Sequence, residues 1–156
     1  MLSQKILEKY KFPYLSIDHL KKGLIRSKNT ALCPTDSNLK LTEYLWPIVC
    51  EIIKTAIENN QNLTVEGCYV PLDYKKYFTD EYLKNIKFVC LIMSEKYINR
   101  SFDKITEYAN LIENRLGDGC TKQSLIEDNA EYLNRCQKFK TDYVLIDDGY
   151  NIDIDL

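Results

Sequence analysis

The sequence predicts an α/β domain built around a mainly parallel sheet, and two observations carry that prediction. Three short apolar runs each finish on an acid: Leu15-Ser16-Ile17-Asp18, Leu63-Thr64-Val65-Glu66 and Val144-Leu145-Ile146-Asp147. A fourth run, Ile86 to Met93, is almost continuously apolar, which suits a parallel strand covered on both faces and central in its sheet. Segments with helical periodicity separate these runs, so right-handed helical crossovers are expected to join the strands.

The predicted elements alternate along the chain. Helices are expected at about residues 2–10, 19–27, 35–60, 79–85, 94–115 and 121–139, and strands at 14–17, 63–66, 86–93 and 143–147. Each helix repeats apolar residues every three or four positions, whereas the strands are short runs rich in β-branched and aromatic residues.

Prolines and capping residues set the boundaries in the first half. Pro13 ends the first helix, because the residue before a proline disfavours helical geometry. Asp18 is the predicted N-cap of the second helix, and Thr35 or Asp36 is the predicted N-cap of the third. Pro47 lies inside that third helix and is expected to kink or split it.

Glycines set the boundaries in the second half. Gly117-Asp118-Gly119 is expected to end the helix that begins near Ser94. After the last strand, the turn Asp148-Gly149 is expected to fold Ile152 and Ile154 back as a short antiparallel edge strand.

Length and hydrophobic content indicate a single domain, residues 1–156, and charge and the N-terminus bear on its partners and location. A chain of 156 residues with 45% hydrophobic residues is large enough for one core and short for two. The net charge of -2 gives no broad footprint for nucleic acid or for an acidic membrane. No apolar run approaches membrane-spanning length, and the N-terminus does not resemble a signal peptide, so a cytoplasmic protein is expected.

The cysteines and the single histidine, His19, disfavour a metal centre. No two cysteines form a C-x-x-C pair, which argues against zinc and favours buried free thiols. The six cysteines are Cys33, Cys50, Cys68, Cys90, Cys120 and Cys136.

Acidic residues at strand ends indicate a ligand crevice. In an open parallel sheet ligands bind beyond the carboxyl ends of the strands, so Asp18, Glu66 and Asp147 are expected to line one crevice. The sequence contains neither a G-x-x-x-x-G-K-[ST] nor a G-x-G-x-x-G motif. The pattern is therefore that of a nucleotide-handling fold without a phosphate-binding loop.

Three stretches carry a resemblance to a known family: Tyr14 to Ser27, Asn62 to Gly67, and Val89 to Ser94 with an arginine-bearing helix after it. They make the chain similar to the P-loop small-molecule and nucleoside monophosphate kinases, and most similar to bacterial proteins labelled adenylate kinase-like or 2-phosphoglycerate kinase-like. The similarity spans nearly the whole chain. It implies a three-layer P-loop kinase-like domain, an ATP-dependent phosphotransferase activity, ATP and Mg²⁺ as cofactors, and a small-molecule or nucleotide phosphate acceptor.

The resemblance also implies that a strand is missing. In such kinases the first strand leads into the phosphate loop and a helix, whereas this chain starts inside that helix, about fifteen residues late. The family places its first strand between the third and fourth, so we expect a sheet without its central strand. A chain of this kind is expected to be inactive by itself and to self-associate through an open sheet edge.

Two acids are the candidate catalytic residues. By resemblance, Asp18 faces the phosphate acceptor and orients or binds its hydroxyl, while Glu66 lies near magnesium or the acceptor. Gly67 is a candidate substrate-binding position because glycine permits close approach of a ligand. The structural alternatives are a simple helix cap for Asp18 and an ordinary strand-end acid for Glu66.

Arginines are the candidate anion ligands, because a guanidinium can bind phosphate with two hydrogen bonds. Arg26 follows Asp18 by about two helical turns, and is expected to reach the acceptor. Arg100 and Arg115 belong to a segment, about residues 94–120, that corresponds to the family's lid. Arg135 is a weaker candidate. The alternative for each is a solvated side chain or a weak ion pair.

Other functions are kept open or disfavoured by specific features. A non-catalytic binding remnant of a P-loop kinase is the main alternative, because the phosphate loop is absent. A doubly wound methyltransferase or dehydrogenase is disfavoured by the missing G-x-G-x-x-G motif. The acids around Asp147 lack the glycine and distal glutamate of a calcium-binding EF-hand loop, and are interpreted as a strand end and a solvated tail.

Overall fold

The chain divides into two compact units, Met1–Ile86 and Lys87–Leu156. A computed structural model describes residues 2–112, 121–150, 152 and 154, the side chains of residues 108–112 excepted. Each unit combines helices with one pair of parallel strands. The predicted α/β class, with parallel strand pairing, is therefore confirmed.

The first unit follows the predicted order of helices and strands. Its elements are α1 (Leu2–Tyr10), β1 (Tyr14–Ser16), α2 (Ile17–Arg26), α3 (Asn38–Glu58), β2 (Thr64–Glu66), a 3₁₀ turn (Tyr74–Tyr77) and α4 (Asp80–Leu83). β1 and β2 pair in parallel, with Tyr14 opposite Thr64 and Ser16 opposite Glu66. The Thr64 N–H donates to the Pro13 carbonyl at 2.9 Å and starts the ladder.

The start of α2 differs from the prediction. Helical geometry begins at Ile17, and the N-cap is Ser16, which has extended backbone angles and makes no side-chain cap hydrogen bond. Ile17 is fully buried, so its packing, rather than a polar cap, holds the strand-to-helix junction. The expectation that Asp18 is the N-cap is therefore wrong; Asp18 lies in the first turn of α2, where its charge favours the helix dipole.

The helix α3 is the main core element of the first unit. Its N-cap is Ser37, whose side chain accepts from the Lys40 N–H, so the expected caps Thr35 and Asp36 lie just outside it. The helix continues through Pro47 without splitting. Buried residues on both sides of the proline hold the two halves together; they are Leu41, Leu45, Trp46, Val49, Cys50 and Ala56.

The second unit contains β3 (Cys90–Met93), α5 (Glu95–Ile112), α6 (Lys122–Phe139) and β4 (Tyr143–Ile146). β3 and β4 pair in parallel, with Cys90 opposite Tyr143 and Met93 opposite Ile146. Residues 86–89, expected as the first half of a strand, have no regular structure. β3 has a single paired neighbour, and only Ile92 within it is buried, so the expectation of a central strand covered on both faces is wrong for the described chain.

Of the two helices in the second unit, α5 has an internal break and α6 has a capped beginning and a left-handed end. α5 has a local break at Ser101, where φ is -124° and ψ is 16°. α6 begins with a capping box in which Thr121 and Ser124 exchange hydrogen bonds, and it ends at Lys140 in the left-handed region. The expected helix end at 117–119 lies outside the described residues.

The chain after β4 does not form the expected edge strand at the positions described. Ile152 and Ile154 are in no strand, although Ile152 is buried. Residues 151 and 153 lie outside the described part of the chain.

The prediction of buried thiols is correct for only some of the cysteines. Cys50 and Cys136 are buried, Cys90 is half-buried, and Cys33 and Cys68 are exposed. These five are free thiols. Cys120 lies outside the described residues.

Candidate functional site

The ladder of the first unit brings two predicted acids to one end of a strand pair. Glu66 is the last residue of β2 and lies opposite Ser16, the last residue of β1. Asp18 follows Ser16 by two positions, in the first turn of α2. Both acids therefore stand at the carboxyl end of paired parallel strands, where α/β proteins bind their ligands.

Asp18 belongs to a contact group that we call the Lys21 cluster, comprising Asp18, Lys21 and Tyr69. The Lys21 Nζ lies 2.8 Å from Asp18 Oδ1 and donates to the Tyr69 hydroxyl at 2.7 Å. The side chain of Lys21 is 12% exposed and that of Asp18 is 25% exposed. The cluster is thus a largely desolvated pair whose carboxylate still reaches solvent.

Electrostatics keep Lys21 charged. Burial acts against the ammonium form, but the hydrogen bonds to Asp18 and Tyr69 outweigh burial and raise the pKa of Lys21 above its ordinary value. The pKa of Tyr69 is also raised, mainly by burial. Lys21 is therefore a fixed cation beside Asp18, not a proton donor or a nucleophile at neutral pH.

The sequence identified Asp18 as a site residue, but neither Lys21 nor the contact between Lys21 and Tyr69 was predicted. The spacing of Asp18 and Lys21 by three residues on one helix is a signal that could have found the pair. Tyr69 lies 48 positions from Lys21 along the chain, and only the tertiary fold brings them together.

The Glu66 carboxylate differs from that of Asp18, which is bound by Lys21. The Glu66 side chain is half-buried, and within the described chain it makes no hydrogen bond or ion pair. A strand-end carboxylate with unbonded oxygens can accept a hydrogen bond from a hydroxyl group or contribute to binding a cation.

The structure gives Gly67 a packing role. Its φ is +148°, a conformation that L side chains rarely adopt, and a Cβ placed there would lie 3.0 Å from the Ile17 Cβ. Glycine is required because the backbone passes close to Ile17, at the junction that also positions Asp18. The predicted reason, room for a ligand, is not needed to explain it.

Arg26 is the last residue of α2 and is exposed. Its guanidinium makes no hydrogen bond or ion pair with any other described residue. It remains a candidate anion ligand of the first unit.

In the second unit, Arg100 is engaged with the turn after β4. Its Nη2 donates to the Asp148 carbonyl at 2.6 Å, and its Nη1 lies 3.8 Å from Asp148 Oδ1. Lys96 Nζ lies 3.0 Å from Asp147 Oδ2 and 3.1 Å from Asp148 Oδ1. The predicted lid arginine therefore pins α5 to the end of β4.

The same turn is fixed from the end of β3. The Ser94 hydroxyl donates to Asp147 Oδ1 at 2.6 Å. This bond, followed by those from Lys96, lowers the pKa of Asp147 below its ordinary value. Asp147 is a strand-end acid as expected, but it is held in a network rather than left in a solvated tail.

The remaining predicted arginines give no site. Arg115 lies outside the described residues. Arg135 is on α6, where its Nη1 lies 3.5 Å from Glu131 Oε1, one turn away on the same helix. This is the weak surface pair that the alternative interpretation expected.

An open groove of about 930 Å³ lies at the other end of the first strand pair. Pro13, just before β1, and Leu63, just before β2, line it together with Ile48, Ile52 and Ala56 of α3. It is mostly apolar and lies away from Asp18 and Glu66, so it does not extend the candidate site.

The described residues contain neither a group of metal-binding side chains nor a membrane-spanning helix. Among them, no three His, Cys, Asp or Glu side chains are grouped as they would be around a metal ion. None of their helices combines the length and the apolar character needed to span a bilayer.

Comparison with known proteins gives the chain no relative. No protein family model, no curated protein and no solved structure matches it. The residues at the carboxyl ends of the strands are therefore the basis for assigning a function.

Proposed function

We propose that this chain carries the acceptor side of an ATP-dependent phosphotransferase of the P-loop kinase type, with Asp18 and Glu66 facing the phosphate acceptor. The observation that carries the proposal is the register Ser16 opposite Glu66, which puts both acids at one end of a parallel pair. The acceptor is a small molecule or a nucleotide with a free hydroxyl or phosphate.

The strand pairings support the kinase resemblance. In that resemblance, β1 and β2 are the family's second and third strands, and β3 and β4 are its fourth and fifth. The described strands form two separate two-stranded sheets, β1 with β2 and β3 with β4. Parallel pairing of the strands within each pair is what the resemblance leads us to expect.

Asp18 is suited to orienting an acceptor hydroxyl. Lys21 binds Oδ1, and the second oxygen, Oδ2, makes no hydrogen bond or ion pair with any described residue. That oxygen can accept a hydrogen bond from the acceptor hydroxyl, while the ion pair with Lys21 fixes the position of the carboxylate. Lys21 is in this account a positioning residue, since it acts through Asp18.

The described residues do not form a site for ATP phosphates or magnesium. Arg100, the predicted lid ligand, is hydrogen-bonded to the turn after β4, and no metal-binding group occurs among the described residues. We therefore assign no ATP-phosphate site and no complete metal site to the described residues, and Glu66 by itself keeps the role near magnesium or the acceptor that the resemblance implies.

Grafting tests the proposal. An apolar strand and a G-x-x-x-x-G-K-[ST] loop are joined to Met1, and transfer of the labelled γ-phosphoryl group from ATP to AMP or 2-phosphoglycerate is measured. We expect transfer with the graft, none with the loop lysine replaced by alanine, and about 100-fold slower turnover with Asp18→Asn. No transfer by a folded graft to either acceptor would contradict the proposal.

Variants of Asp18 and Glu66, compared with one control variant, separate the roles of the two acids. Asp80→Asn, at an exposed acid in the first turn of α4, is the control and should leave turnover unchanged. If Asp18→Asn behaves like this control, Asp18 is only the ion-pair partner of Lys21. Glu66→Gln should be rescued in part by more Mg²⁺, and absence of rescue would remove Glu66 from the magnesium side.

The alternative is a non-catalytic binding module that uses the same crevice. The absence of a phosphate-loop motif from the sequence favours it. It predicts that AMP or 2-phosphoglycerate binds the chain as it stands, with affinity reduced by Asp18→Asn, while the graft transfers no phosphate.

A further inference from the structure

Two cysteines of the second unit lie in contact, and the proposed phosphotransfer chemistry uses neither of them. Cys90 is the first residue of β3, and Cys136 lies in the last turn of α6, which packs against β3. The Cys90 thiol makes a side-chain hydrogen bond with the Cys136 thiol. Because the two sulfur atoms are already neighbours, a small movement of the side chains brings them to the bonding distance of a disulfide, about 2 Å.

Backbone hydrogen bonds hold both cysteines in place. The Cys90 N–H donates to the Asp142 carbonyl at 2.9 Å. The Cys136 carbonyl accepts from the Thr141 N–H at 3.0 Å and from the Thr141 hydroxyl at 3.3 Å. The segment from Cys136 to Asp142 is therefore bonded to α6 at one end and to β3 at the other. The fold of the second unit, and not the side-chain orientation alone, brings the two thiols together.

Burial determines how these thiols react. Cys136 is fully buried and Cys90 is half-buried, so a small molecule reaches Cys90 first. Burial, followed by the neighbouring Cys136, raises the pKa of Cys90 to about 12. Since the thiolate is the reactive form, oxidation at neutral pH is slow. The equilibrium is a separate matter, because no stabilised Cys90 thiolate holds the pair in its reduced form.

We propose that Cys90 and Cys136 are a redox pair, which a small disulfide such as glutathione disulfide oxidises to an intramolecular disulfide that joins β3 to α6. The Cys90 thiol loses its proton, and its sulfur attacks the small disulfide and releases one small thiol. The Cys136 sulfur, also deprotonated, then attacks the Cys90 sulfur and releases the second. The two cysteines lose two electrons and two protons, and the small disulfide takes them up as two thiols. This inference goes beyond the phosphotransfer proposal and does not depend on it.

The disulfide suits its surroundings and stabilises the second unit. It is uncharged, so it replaces two thiols in a buried place without burying a charge. It closes a loop of about 46 residues, which restricts the unfolded chain. A loop of this length shifts the unfolding equilibrium toward the folded form by about a hundredfold.

Peptide mapping tests the pairing. The full chain, at low micromolar concentration, is equilibrated in glutathione buffers of rising disulfide content, starting from the reduced and from the oxidised protein. Free thiols are blocked with N-ethylmaleimide, and the linked peptides are identified by mass spectrometry. We expect a link between Cys90 and Cys136 within one chain, present also in the control Cys33→Ser, at an exposed thiol of the first unit, and absent from Cys136→Ser. A wild type without this link in every buffer, or with Cys90 mainly joined to another cysteine, would overturn the proposal.

Hydrogen exchange tests the consequence for the fold and needs no variant. The Ser94 N–H donates to the Ile146 carbonyl at 2.9 Å, so its exchange reports on opening of the second unit. In the oxidised protein its exchange should slow by about a hundredfold and should recover when dithiothreitol is added. The Thr64 N–H, bonded to the Pro13 carbonyl in the first unit, is the internal control and should not change. Equal Ser94 exchange in the oxidised and reduced proteins would contradict a disulfide that joins β3 to α6.

Discussion

Replacing Lys21 by methionine should destabilise the first unit. Lys21→Met keeps the apolar stem but removes the ammonium that donates to Asp18 at 2.8 Å and to the Tyr69 hydroxyl at 2.7 Å. The Tyr69 residue is 5% exposed, so its hydroxyl would be left without its lysine partner in a largely desolvated place.

The expected loss follows from those two hydrogen bonds. A hydrogen bond to a charged group contributes about 1.5–3 kcal/mol, and solvent screening at the partly exposed Asp18 puts its share below that range. We expect the free energy of unfolding to fall by about 2 kcal/mol in total. With a urea slope of about 1–2 kcal/mol per molar, the midpoint should fall by about 1–2 M.

Tryptophan fluorescence measures this change in the right unit. Trp46 is the only tryptophan of the chain and is buried in α3 of the first unit. The control is Lys54→Met, which removes another lysine that pairs with an acid three residues away. That acid, Glu51, is 71% exposed, so the control should leave the urea midpoint nearly unchanged. A Lys21→Met midpoint equal to that of the control would refute the reasoning. Because the pKa of Lys21 is raised, the difference should persist unchanged from about pH 6 to about pH 8.

Three further predictions use other features. Calorimetric titration of the chain with ATP and Mg²⁺ should give no micromolar binding, because the sequence holds no phosphate loop; micromolar affinity would contradict this. Gly67→Ala should destabilise the first unit by about 1–3 kcal/mol in urea unfolding, whereas Gly23→Ala, with open space around its Cβ, should not; equal effects would remove the packing role. The pKa of Asp147, followed by NMR, should lie below its ordinary value and should rise in Ser94→Ala. The network therefore stabilises the second unit above about pH 4, and this stabilisation is lost as the pH falls through the lowered pKa. An Asp147 pKa at its ordinary value would argue against the network.

The elements themselves were largely predictable because local signals agree with one another. Pro13 and the helical repeat fix the end of α1, and the Tyr143 run fixes β4 to within a residue. The beginning of α2 was not predictable, because a polar candidate cap competes there with the packing of Ile17, which is visible only in the tertiary structure. The prediction of a strand at residues 86–89 was wrong for a related reason. Apolar character alone does not supply a neighbouring strand with which to pair.

The candidate site was predictable only in part. Strand-end acids identify Asp18 and Glu66, because parallel strands bring their carboxyl ends together. The distant partners of Lys21 and Arg100 could not be predicted, since Tyr69 and Asp148 lie 48 positions from Lys21 and Arg100, respectively. Long-range side-chain contacts of this kind leave no periodic trace in a sequence.

The wide sequence separation in both ladders bears on how the chain folds. Tyr14 pairs with Thr64 and Cys90 with Tyr143, so each sheet closes a loop of about 50 residues to gain three or four paired positions. Closing such a loop costs conformational entropy before the ladder can return any stabilisation, and contacts of this separation slow folding. We therefore expect the helices α3 and α6 to form early, the strand pairs to align in the rate-limiting step, and the amides of β1 and β3 to be the last to gain protection in pulsed hydrogen exchange.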